Sequence, residues 1–82
     1  MKLYGGIDLH SNNSYLVLFD ETDKIVYQKR LPNDLECLLE ELARYQCFIE
    51  SIVVESTYNW YWLVDGLQAA GYKIHLANTN CR

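Results

Sequence analysis

The order in which short apolar segments change their period constrains this chain more than any other feature. Residues 3–8, 15–20 and 24–31 have strand length and strand composition, and only brief polar stretches (residues 10–13 and 21–23) separate them. That spacing predicts three strands in an antiparallel meander. From Leu35 the period becomes helical, with Leu35, Leu38, Leu39, Leu42 and Tyr45 on one stripe. Residues 48–55 (FIESIVVE) return to a strand, residues 58–70 suit a second helix, and residues 72–77 (YKIHLA) a fifth strand. Right-handed crossovers place the fourth strand parallel to the first and beside it, with the fifth outside. The expected fold is therefore α/β: a mixed five-stranded sheet in spatial order 3-2-1-4-5, with two helices on one face.

Local signals support the boundaries. Pro32-Asn33-Asp34 opens the first helix, and Asn33 with Glu36 has the spacing of a capping box. Ser56 or Thr57 is the expected cap of the second helix, and Gly71 is placed to end it in a left-handed conformation. Gly5 and Gly6 in the first strand permit a close approach to its backbone.

The second strand is apolar on both sides: Tyr15, Val17 and Phe19 face one way, Leu16 and Leu18 the other. The fourth is similar, with Val53 opposed to Ile52 and Val54. Strands of this kind are buried on both faces, yet both helices are expected on one. The uncovered face calls for a further element of a longer chain, or for a homo-oligomer formed through it.

With 82 residues there is room for one small domain. A formal net charge of −4 has the wrong sign for a stand-alone nucleic-acid binder, whose affinity comes from Lys and Arg against phosphate. A metal ion or another part of a longer chain would have to supply positive charge. Cys37, Cys47 and Cys81 form no metal-binding or disulfide pattern. The start, MKLYGGID, lacks the apolar stretch of a signal peptide, and no segment has the length of a membrane span. A cytoplasmic protein with no membrane partner is expected.

Asp8 and Glu55 are expected at the C-terminal ends of the first and fourth strands, which lie side by side. Two carboxylates so placed can reach one Mg²⁺ or Mn²⁺, a hard cation that keeps positions open for water and phosphate. Crevices beyond the carboxyl ends of strands are also where open α/β sheets bind ligands. A carboxylate at a strand end often only caps a turn or the next helix, and Glu55 could do so for residues near Thr57. Glu55 closes a run of apolar residues, where an uncompensated charge is costly. His10 is a second-tier contact for substrate or metal. Thr57 and Asn59, near a helix start, have a secondary role toward phosphate. The aromatic run from Tyr58 to Trp62 reads mainly as core, and His75 as structural.

The strings GIDLHSNNSYLVLFDETDKIV, RLPNDLECLLEEL and above all VVESTYNWYWLVDGLQAAGYKIHLAN resemble the DEDD-type insertion-sequence transposases. This family includes RNA-guided bridge recombinases, and its nuclease domain is similar to the Holliday-junction resolvase RuvC. The resemblance runs from about Tyr4 to Asn78. It implies an RNase H-like (RuvC-like) fold and a four-acid metal site, with Asp8 the first acid and Glu55 the second. It implies a parent enzyme that cuts and joins DNA during insertion-sequence transposition using divalent metal, with DNA and a guide RNA as partners. The other two aspartates would lie in a helix after the fifth strand, and an attacking serine in a further domain. Residues 1–82 would thus be the N-terminal part of the nuclease domain, inactive by itself. The family's proline after LAN is replaced by Thr79-Asn80-Cys81-Arg82.

Two other readings compete. GIDLHSNNS resembles the first phosphate loop of actin-like ATPases and sugar kinases, but His10-Ser11 stands where those carry Gly-Thr. A non-catalytic module that dimerises or positions DNA would also account for the uncovered face. Only the catalytic reading requires Asp8 and Glu55 to converge at one sheet edge.

Overall fold

The computed structural model describes residues 2–56 and 59–77. The strands are β1 (Leu3–Leu9), β2 (Asn13–Asp20), β3 (Ile25–Pro32), β4 (Ile49–Ser56) and β5 (Ile74–Ala77). The helices are α1 (Leu35–Ala43) and α2 (Tyr61–Ala69). The sheet order is β3-β2-β1-β4-β5, as the element order predicts. β2 is antiparallel to β1 and β3, while β4 is parallel to β1 and β5.

The glycine pair in β1 does two different things. A Cβ on Gly5 would lie 3.0 Å from Ile52 Cγ1 and 3.3 Å from Leu18 Cδ2. Its missing side chain lets residues from both neighbouring strands close over it. A Cβ on Gly6, facing the opposite way, would meet nothing within 4 Å.

The β2–β3 turn is organised by the Asp20 carboxylate. It accepts hydrogen bonds from Thr22 Oγ1 (2.7 Å), Thr22 N (2.8 Å) and Lys24 N (3.0 Å). Those bonds, the Thr22 hydroxyl first, hold its pKa below the usual carboxylate value. The turn closes with Asp23 at φ 66°, a left-handed conformation that Asp tolerates better than most residues.

Asp34, not Asn33, caps α1: its backbone is extended and its carboxylate accepts from Glu36 N at 3.1 Å. The Asn33 amide is committed elsewhere. Its Oδ1 accepts from the buried Ser14 hydroxyl (2.5 Å) and its Nδ2 donates to the His10 carbonyl (2.7 Å). α2 also departs from expectation. Ser56 is still in β4, Thr57 lies outside the described residues, and the helix begins at Tyr61 with Trp60 at the cap position. Trp60 has no side-chain acceptor for the first N–H groups; Asn59 Oδ1 instead accepts from Tyr61 N at 3.4 Å. β4 runs on through Ser56, which leaves less chain for the helix and disfavours an earlier start. The far end matches expectation. Gly71 has φ 101°, and the Gly71 and Tyr72 amides donate to Gln68 and Leu67 carbonyls, a Schellman closure.

Both helices cover one face. Leu38 and Leu42 of α1 and Leu63, Val64 and Leu67 of α2 are buried against Ile7, Leu16, Leu18, Ile52 and Val54. Burying an aliphatic side chain of this kind stabilises by about 1.5–3 kcal/mol. On the opposite face Tyr15, Val17 and Phe19 are half-buried, Tyr4 stacks on Phe19 with centroids 6.1 Å apart, and Val53 is 40% exposed. No element of the described residues covers them. Cys37 and Cys47 are free thiols, and Cys81 lies outside the described residues. No described helix is long and apolar enough to cross a membrane.

Candidate active site

β1 and β4 run parallel and end together, and their register pairs Asp8 directly with Glu55. Paired residues on neighbouring strands share a face, roughly 4.8 Å apart across the ladder. Asp8 alternates with the core-facing Ile7 and Leu9, and Glu55 with Val54, so both carboxylates stand on the uncovered face. Both are exposed, which corrects the expectation that Glu55 sits in a desolvated run: in β4 only Ile52 and Val54 are buried. Neither acid is needed to cap α2, whose first N–H groups lie beyond Asn59.

Beside the pair is a shallow depression of about 220 Å³, floored by Gly6 and walled by Tyr15 and Val17 on one side and Val53 and Glu55 on the other. The hollow follows from Gly6, the one position in this row with no side chain to fill it. Tyr15 pairs with Asp8 from β2, and its hydroxyl donates to Gln28 Oε1 at 2.8 Å.

His10 is brought to the site: its Nε2 lies 3.3 Å from Asp8 Oδ2. With side-chain exposures of 59% and 52%, this is a solvated contact that orients Asp8 more than it stabilises the fold. Asn59 is exposed and turned to local work, with its side chain on Tyr61 N and its carbonyl accepting from Trp62 Nε1 at 3.1 Å. Thr57 falls outside the described residues. Trp60 and Trp62 pack against the core as expected, but Tyr61 is 63% exposed and stacks on Trp60, centroids 4.3 Å apart. His75, on the uncovered face beside Val53, is exposed and not part of the core.

Two exposed carboxylates in register are hard oxygen donors for a divalent cation. Among the described residues no group of three or more His, Cys, Asp or Glu side chains is placed to hold a metal ion. In sequence, Gly6 permits a close approach to the first strand and Tyr15 lies on one side of the second, but neither signal joins them to the acid pair. Counting cross-strand partners back from the β1–β2 turn would have found Tyr15.

No family model and no curated protein matches the chain. Among solved structures it resembles Thermus thermophilus RuvC in complex with a Holliday junction substrate, with a TM-score of 0.69 at 12% identity. The match covers 96% of this chain and 66% of that one, so the chain spans a little under two thirds of the RuvC chain's length. The sheet order and the paired helices together with this match assign the chain the RNase H-like fold of RuvC.

Proposed function

We propose that Asp8 and Glu55 are two metal ligands of a phosphodiester-cleaving site, within the N-terminal part of the nuclease domain of an insertion-sequence transposase. The observation that carries this reading is the pairing of Asp8 with Glu55 at one end of adjacent parallel strands, on the face that neither α1 nor α2 covers. The donor set fits Mg²⁺ or Mn²⁺: two exposed carboxylates, with space over Gly6 for water and phosphate oxygens. When bound, such an ion supplies Lewis-acid polarisation of a phosphoryl oxygen and acidifies water. The chain's own residues hold and orient. Asp8 and Glu55 fix the cation at the strand ends, His10 steadies the Asp8 carboxylate, and Gly6 leaves room for the substrate backbone. Thr57 and Asn59 are secondary contacts to phosphate.

DNA is the proposed partner, supported by the fold shared with a RuvC bound to a Holliday junction. The transposase identity and the guide RNA rest on the resemblance carried by ESTYNWYWLVDGL, and a cytoplasmic site of action on the unpatterned cysteines and a start without a signal-peptide stretch. A metal titration tests the site. Mg²⁺ or Mn²⁺ should raise the melting temperature of the chain, and Asp8→Asn or Glu55→Gln should remove that rise without lowering the metal-free value. Equal responses from both variants and the wild type would refute the reading.

The apolar uncovered face supports a second reading, a non-catalytic module that associates through it as a homo-oligomer. Sedimentation at increasing concentration tests this: a monomer throughout excludes it.

A further inference from the structure

The row of the sheet that holds the acid pair continues on its other side. Asp8 pairs with Glu55 and with Tyr15, and Tyr15 pairs with Arg30 of β3. The four residues Arg30, Tyr15, Asp8 and Glu55 thus line up across four strands at one end of the sheet. Their faces agree: Leu31 and Tyr27 in β3 turn to the core, so Arg30 and Gln28 turn to the uncovered side. The five strands contain only two basic residues besides His75, namely Lys29 and Arg30. Lys29 pairs with the buried Leu16 and faces the helix side, near Glu41. Arg30 is exposed, and no ion pair engages it among the described residues. At roughly 4.8 Å per strand, its Cα stands about 10 Å from that of Asp8.

We propose that Arg30 is the phosphate-holding residue of this face, gripping a backbone phosphate of the nucleic acid while a neighbouring phosphate sits at the acid pair. This rests on the metal-dependent reading of Asp8 and Glu55 and adds how an acidic chain holds a polyanion. The guanidinium offers the forked donor geometry that suits phosphate. Tyr15 lies between the two phosphate positions. Its hydroxyl, bonded to Gln28, draws the ring one row back from the line joining Arg30 to Asp8. The strand of nucleic acid therefore crosses β3, β2, β1 and β4 along this row, alongside the hollow at Gly6 one row back.

The test is binding of a fluorescent single-stranded oligonucleotide in Mg²⁺ across a salt series, with wild type, Arg30→Gln, Lys29→Gln and Asp8→Asn. Arg30→Gln should weaken binding roughly tenfold. It should also reduce the slope of log affinity against log salt by about 0.7. The metal-induced rise in melting temperature should stay at its wild-type value. Lys29→Gln removes the same charge one residue away on the other face and should leave affinity and slope unchanged. Equal effects of Arg30→Gln and Lys29→Gln, or none from either, would overturn the assignment of Arg30 while leaving the metal site standing. Failure of the wild type to bind, or binding indifferent to Asp8→Asn, would overturn the metal-dependent reading and this proposal with it.

Discussion

Gly66→Ala sets two known effects against each other at one contact. Gly66 lies inside α2, where replacing glycine by alanine stabilises an unstrained helix by about 1 kcal/mol. An added Cβ would stand 2.7 Å from Leu35 Cδ1 and 3.0 Å from Leu35 Cγ, and closer still to Cδ2. Because the branch carbon itself is inside contact distance, rotating one methyl does not relieve the clash. Leu35 must leave its rotamer or the two helices must separate, at a cost of about 1–3 kcal/mol. The expected balance is a net loss of about 1 kcal/mol, which for a domain of this size lowers the melting temperature by roughly 4–8 °C. In a Leu35→Ala background the obstructing atoms are gone, and the same Gly66→Ala change should stabilise by about 1 kcal/mol. The coupling between the two sites is then about 2 kcal/mol. Urea unfolding of the four proteins measures it, with the midpoint shifting at constant slope. A higher midpoint for Gly66→Ala in the wild-type background, or the same loss in both, would refute this account of how α1 and α2 meet.

Three further outcomes are expected. Burial, followed by the hydrogen bond to Glu41, pushes the Tyr27 hydroxyl up to about 12 from its ordinary value of 10.0. Stability linked to Tyr27 is thus complete below pH 10.0 and is lost as pH rises through about 12. Urea midpoints at mildly and strongly alkaline pH should diverge in the wild type and much less in Tyr27→Phe; an equal alkaline loss in both would show that the pair does not govern it. Asp23→Gly should raise stability by about 0.5 kcal/mol, because relief of the left-handed strain slightly outweighs the added freedom of the unfolded chain; a lower melting temperature would contradict it. Finally, with only two clustered carboxylates among the described residues, the 82-residue chain should not cut DNA in Mg²⁺. Robust cleavage abolished by Asp8→Ala would show that two acids suffice.

The topology was legible because the period of the apolar residues changes cleanly from two to helical and back, and crossover handedness then leaves one strand order. Asp8 and Glu55 were legible for the same reason: strand ends in a parallel pair converge whatever the side chains do. Cap assignments were less legible. Asn33 and Asp34 are both good caps, and the choice between them was made by Ser14 and the His10 carbonyl, partners 19 and 23 residues away in sequence. The start of α2 slipped because β4 runs through Ser56, and the exposure of Glu55 followed from strict alternation that an apolar run conceals.

The Asn33 bridge has a further consequence. One small amide satisfies a hydroxyl donor with its oxygen and a carbonyl acceptor with its nitrogen, and no other side chain of that length offers both. Hydrolysis of that amide to a carboxylate, the ordinary ageing reaction of asparagine, would set an anion against the His10 carbonyl. The loop beyond Asp8 would lose its tie to the start of α1 and keep only the bond from the His10 amide to the Asn13 carbonyl, while the sheet beneath it stayed intact. The acid end of this domain therefore depends in part on one amide at the opposite end of β3 from its turn.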